Sequence, residues 1–219
     1  MAEQKNSSRR KALKQVAAMG AAAALPSGVL TPVNAIAAEA AAKSAALQAL
    51  TASEASVLEA ICARLIPSDD GTPGAKEARA ADYIDRSLAG YLAGSRKAYA
   101  AGLAAVDAYA QSSKGAPFSK LAPADQDALL TAMEKNAATG FTPNSAAFFN
   151  LVRNHTLQGT FCDPAYGGNA NFAGWDLIGY PGIRMAVAPE EQRMSVKPKP
   201  QRQSAYRDAT LAKGSSHGH

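Results

Sequence analysis

Between residues 51 and 158 the sequence sets apolar side chains three and four positions apart, and nowhere does it alternate apolar with polar residues over a useful length. Intervals of three and four return a side chain to one face of a helix, whereas a half-buried strand repeats every two. Thr51-Ala-Ser-Glu54 reads as a capping box, and the run behind it puts Val57, Leu58, Ile61, Cys62 and Leu65 on one stripe. A second helix is expected over 75–92 with Tyr83, Ile84, Leu88, Tyr91 and Leu92, and a third over 95–111 with Tyr99, Leu103, Val106 and Ala110. Pro123 opens a fourth, running to 138 with Asp125 and Asp127 in its first turns, and a fifth covers 145–158 with Phe148, Leu151, Val152 and His155 on one face. Turn-forming clusters separate them, among them Pro67-Ser-Asp-Asp-Gly-Thr-Pro-Gly. The chain is therefore expected to be all-α, a small bundle of about five helices without internal repeat. With 47% hydrophobic and 19% charged residues it can bury a real core.

Beyond the fifth helix, TFCDPAYGGNANFAGWDLIGYPG (160–182) obeys no period, yet holds five of the chain's 14 aromatics, five glycines and two prolines. Glycine permits positive φ and proline stops a helix, so this is a shaped, irregular segment whose large side chains pack on their own domain or on a partner. Its candidate partner-binding residues are Phe161, Asp163, Tyr166, Gly167, Gly168, Asn169, Phe172, Trp175, Tyr180 and Pro181.

The two ends read differently from the domain at 51–182. Residues 1–37 combine a basic start, an apolar stretch from about 16 to 30 and a closing Ala35-Ile36-Ala37, the pattern of a cleaved export signal. Arg9-Arg10 marks it as the twin-arginine type, which implies the translocation machinery as a partner and the periplasm as destination. A linker follows at 38–50. Residues 183–219 form an extended, flexible tail with seven basic residues against three acids, ending in a segment that holds His217 and His219. Without the leader the chain carries 18 basic and 17 acidic residues, which gives no electrostatic case for nucleic acid.

A search for chemistry finds no assembled site. His155, the one histidine outside the tail, falls on an apolar helix face and reads as a hydrogen-bonded core residue. A small enzyme using His155, Cys162 and Asp163 is the catalytic alternative. Asp69-Asp70 lacks the further oxygen ligands calcium needs, and Gly167-Gly168-Asn169 lacks the strand, helix and spacing of a dinucleotide fingerprint. Cys62 and Cys162 are candidates for one disulfide in an oxidising compartment. No metal or cofactor is assigned to the chain itself.

The segments ICARLIPSDDGTPGA (61–75), DYIDRSLAG (82–90), LAPADQDALL (121–130) and above all NHTLQGTFCDPAYGGNANFAGWDLIGYPG (154–182) resemble the small-subunit family, subunit 3, of gluconate 2-dehydrogenase. The resemblance spans about 50–182. It implies a non-catalytic subunit that stabilises a large flavoprotein holding FAD and oxidising a sugar or sugar acid. It also implies a multihaem cytochrome c subunit carrying haem c, and a periplasmic complex at the inner membrane. The twin-arginine leader would then carry the folded flavoprotein out with its small partner. The family contributes no catalytic residue to this chain. A free-standing periplasmic binding protein is the other alternative.

Overall fold

The computed structural model describes residues 47–184 and 186–206; the leader with Arg9 and Arg10, most of the linker and the end of the tail with His217 and His219 lie outside them. Helix α1 spans Ala52–Leu65, α2 Ala80–Leu88, α3 Arg96–Lys114, α4 Pro123–Glu134 and α5 Ser145–Phe161, with a short α6 at Ala173–Leu177. No strand occurs among the described residues. The architecture is all-α, as the apolar period requires.

Helix α1 begins where its sequence says. The Thr51 hydroxyl accepts from the Glu54 N–H at 3.3 Å while the Glu54 carboxylate accepts from the Thr51 N–H at 2.7 Å, so two of the helix's orphan donors are paired. Glu54 also forms an ion pair with Arg96 at 2.7 Å, which ties α1 to the start of α3. Burial would push the Glu54 carboxyl up, but the Thr51 N–H and the Arg96 guanidinium outweigh it and hold the group below its usual range.

The five stripes meet in one core. Val57, Leu58, Ile61 and Cys62 of α1 pack with Tyr83, Ile84 and Leu88 of α2, Tyr99, Leu103 and Val106 of α3, Leu129, Leu130 and Met133 of α4, and Phe148, Phe149 and Val152 of α5. Helix α1 touches each of the next four, and α5 touches α1 to α4 as well as α6. Helices α3 and α5 come close because Gly102 has no side chain: a Cβ there would sit inside the Phe148 ring.

The helix boundaries depart from the periodicity in several places. The second helix starts at Ala80 and not at 75, because Arg79 adopts left-handed backbone (φ 59°) and Gly74 is wedged against the backbone of 66–68. It ends at Leu88, and Tyr91, expected on its stripe, is 69% exposed. Helix α4 stops at Glu134, with Asn136 left-handed (φ 57°) just beyond. Helix α5 runs three residues further than expected, to Phe161, and α6 was not expected at all.

Asp85, 4% exposed, accepts from the backbone N–H groups of Gln48 (2.7 Å), Ala49 (2.9 Å) and Leu50 (2.7 Å), and Arg96 Nε donates to the Ala49 carbonyl at 2.8 Å. One buried carboxylate thus bolts the connector ahead of α1 onto α2.

Candidate functional site

A helix ends with carbonyl groups that have no partner within it. At the end of α5 the irregular segment supplies those partners. Asn169, wholly buried, donates its N–H to the Gly159 carbonyl (2.8 Å) and its Nδ2 to the Cys162 carbonyl (2.7 Å), while its Oδ1 accepts from the Gly174 N–H (2.8 Å). The Trp175 indole donates Nε1–H to the Phe161 carbonyl at 3.0 Å. Cys162 N–H bonds the Gln158 carbonyl at 2.8 Å. The segment is a folded cap on α5.

Glycine is required where that cap lies flat on the helix. A Cβ on Gly168 would strike the Gly159 carbonyl and one on Gly174 the Thr160 carbonyl, both backbone atoms with nowhere to move. Asn169 (φ 45°), Asn171 (φ 54°) and Phe172 (φ 62°) take the left-handed conformation that folds the chain back; asparagine tolerates it and phenylalanine does not readily.

The candidate partner residues separate into two groups. Gly168, Asn169 and Trp175 face inward; Trp175 is 6% exposed, with Phe172 against it at 5.2 Å and Tyr180 edge-on at 4.9 Å between ring centroids. Trp175 is thus part of the chain's own core and not a free anchor, because its indole completes the helix cap. Phe161, Gly167, Phe172 and Pro181 are half-buried. Tyr166 (52%) and Tyr180 (41%) face outward, beside the still more open Ile178. Asp163 is engaged within the chain, accepting from Ala165 N–H (2.9 Å), Ser204 Oγ–H (2.5 Å) and Ala205 N–H (2.8 Å).

Beside the cap lies an open groove of about 710 Å³ lined by Tyr83, Tyr91, Leu157, Gln158, Phe161, Cys162 and Tyr166. The hydroxyls of Tyr83 and Tyr91 bond one another at 2.5 Å, and no lining residue except the thiol and phenols can carry charge. Reading by helical face missed Tyr91 and Leu157 as surface residues: Tyr91 follows the end of α2, and Leu157 lies off the α5 stripe, the one signal that could have flagged it.

The catalytic alternative does not assemble. His155 is buried, its Nδ1 faces the Tyr99 hydroxyl at 2.9 Å and its ring stacks on Tyr99. Cys162 lies seven residues further along the chain, about 10 Å at a helical rise of roughly 1.5 Å per residue, too far for a nucleophile and base pair. Burial pushes the Cys162 thiol up to about 11, so it stays protonated at neutral pH. The candidate Cys62–Cys162 disulfide is not formed: both are free thiols, Cys62 in the core with its Sγ 3.3 Å from Thr156 Oγ1, and Cys162 turned to the Gly159 carbonyl at 3.7 Å. Asp69 and Asp70 lie in an exposed turn, and no group of three or more possible metal ligands occurs among the described residues.

Burial lowers the His155 pKa from its ordinary 6.5, which fixes a sign. Above pH 6.5 both folded and unfolded chains hold it neutral; as pH falls below that value the unfolded chain takes up the proton first, so stability declines. Denaturant melts at pH 7.5 and 5.5 should show that loss in the wild type and a smaller one in His155→Gln; an equal loss in both would place the titration elsewhere.

No curated protein and no solved structure matches the chain. A protein-family model described as "Gluconate 2-dehydrogenase subunit 3" matches residues 52–182, from the first residue of α1 to Gly182 at the end of the cap. That match takes in all six α-helices of the described residues and the segment that caps α5, over more than half of the sequence, and the chain belongs to the gluconate 2-dehydrogenase subunit 3 family.

Proposed function

We propose that the chain is the non-catalytic small subunit of an FAD-dependent sugar or sugar-acid dehydrogenase, stabilising the flavoprotein subunit and carrying it through twin-arginine export. The observation that carries this reading is the family match across the whole helical domain and its cap. It is supported by the outward-facing Tyr166, Ile178 and Tyr180 and by an uncharged groove that Tyr166 lines, features of the kind that meet another protein. In this reading FAD resides in the large subunit and haem c in a multihaem cytochrome c subunit. The assembled complex works in the periplasm at the inner membrane. The leader tests the export role. Deleting residues 1–37 should strand the flavoprotein in the cytoplasm, and undisturbed export would contradict it.

A second reading has one observation in its favour: the groove's volume, about 710 Å³, falls within the roughly 300–1,000 Å³ of small-molecule pockets. A free-standing periplasmic binding protein would use it for a ligand. Such a protein would purify as a monomer with no large partner.

A further inference from the structure

A basic, proline-rich tail is ordinarily a solvated one, but residues 186–206 are fastened at both ends. At the first, the Arg184 side chain, only 10% exposed, pairs with Glu191 at 2.9 Å and donates Nη2–H to the Lys199 carbonyl at 2.9 Å. At the second, Gln201 N–H bonds the Pro181 carbonyl (2.8 Å) and Arg202 pairs with Asp176 (2.6 Å). Asp163 receives Ser204 and Ala205, and Tyr206 meets Tyr166 hydroxyl to hydroxyl at 2.6 Å with the rings edge-on. Two of the three acids in these fastenings belong to the cap, so the strap returns to the face that carries Tyr166 and Tyr180.

The crown between the fastenings is a different matter. Residues 193–200, RMSVKPKP, contain Arg193, Lys197 and Lys199 and no acid; all three cations are exposed and none forms an ion pair. Met194 is fully exposed at 104%, and Val196 follows at 39%. Pro198 and Pro200 stiffen the crown towards polyproline geometry. A segment held at both ends whose charged side chains stand free in solvent has already lost much of the freedom that binding would remove. Its chemistry, three unpaired cations around an exposed thioether, complements an acidic surface with an apolar spot.

We propose that the crown docks on an acidic face of the flavoprotein subunit, making the strap a second arm of the interface that begins at the cap. The inference rests on the function proposed above. An anionic membrane is the other surface that would attract these cations, but membrane-binding basic clusters hold about four to eight of them together, and the crown holds three. The strap lies beyond the matched residues 52–182, so this arm is a property of this chain more than of the family fold.

The test uses the complex of the full chain with the flavoprotein, and the triple variant Arg193→Glu, Lys197→Glu, Lys199→Glu. The side chains are solvated, so the variant's melting temperature should match the wild type's. Its affinity for the flavoprotein should fall about tenfold or more at low salt, and the wild type's loss of affinity with added salt should largely vanish. Undiminished affinity in the variant would overturn the strap proposal alone. So would an unaltered flavoprotein complex that loses only its sedimentation with phosphatidylglycerol vesicles, which would give the crown to the membrane. A wild-type chain that captures no flavoprotein would overturn the subunit assignment, and the strap proposal with it.

Discussion

Replacing Trp175 by alanine is expected to lower the stability of the folded chain by about 3–5 kcal/mol, the range for emptying a buried aromatic site. The indole contributes twice. It fills the space between Phe172 and Tyr180 at 6% exposure, and its Nε1–H pairs the Phe161 carbonyl at the open end of α5. Alanine would leave a cavity in the cap and an orphan carbonyl beneath it. Trp175→Phe keeps most of the packing and loses only the hydrogen bond, so it should cost roughly 1–2 kcal/mol. Urea melts of the isolated chain measure both. An unchanged midpoint in Trp175→Ala would mean that the segment hangs free of the helices and that the tryptophan serves a partner after all.

The second large effect lies at the other end of the domain. Asp85→Ala removes the acceptor of three backbone N–H groups at once. The Leu50 donor is buried and would stay unpaired, whereas those of Gln48 and Ala49 are partly open and can recruit water, so the total should come to about 2–4 kcal/mol. The connector should also open locally. Limited proteolysis ahead of Thr51 is expected to speed up in the variant before the core becomes sensitive. Equal cleavage rates in variant and wild type would show that Arg96, through the Ala49 carbonyl and Glu54, holds the connector without help.

Legibility followed the range of the forces involved. The stripes of α1, α3 and α5 were readable because burial of a repeating face is a local pattern, and nearly all of those side chains lie in the core. The start and stop of α2 and the stop of α4 were not, because Arg79 and Asn136 take left-handed backbone under tertiary contacts that no neighbouring residue announces. Asp85 was invisible as a clamp, since its partners are backbone groups with no side-chain signature. The glycine-aromatic segment was recognisable as irregular from its composition. Which of its rings turn inward depends on three carbonyls at the end of α5 and on the reach of Asn169 and Trp175 to them, a fact of three-dimensional register. For the same reason the two cysteines, 100 positions apart in sequence, looked pairable until their separate hydrogen bonds were seen.

In the proposed function this chain serves a catalyst it does not itself contain. The decisive experiment purifies a tagged, full-length copy from its native host under mild conditions and records the mass and visible spectrum of whatever accompanies it. A larger protein in fixed ratio with flavin absorbance is expected, with dehydrogenase activity that departs with that protein when the two are separated. A colourless monomer, or activity that stays with the isolated chain, would contradict it.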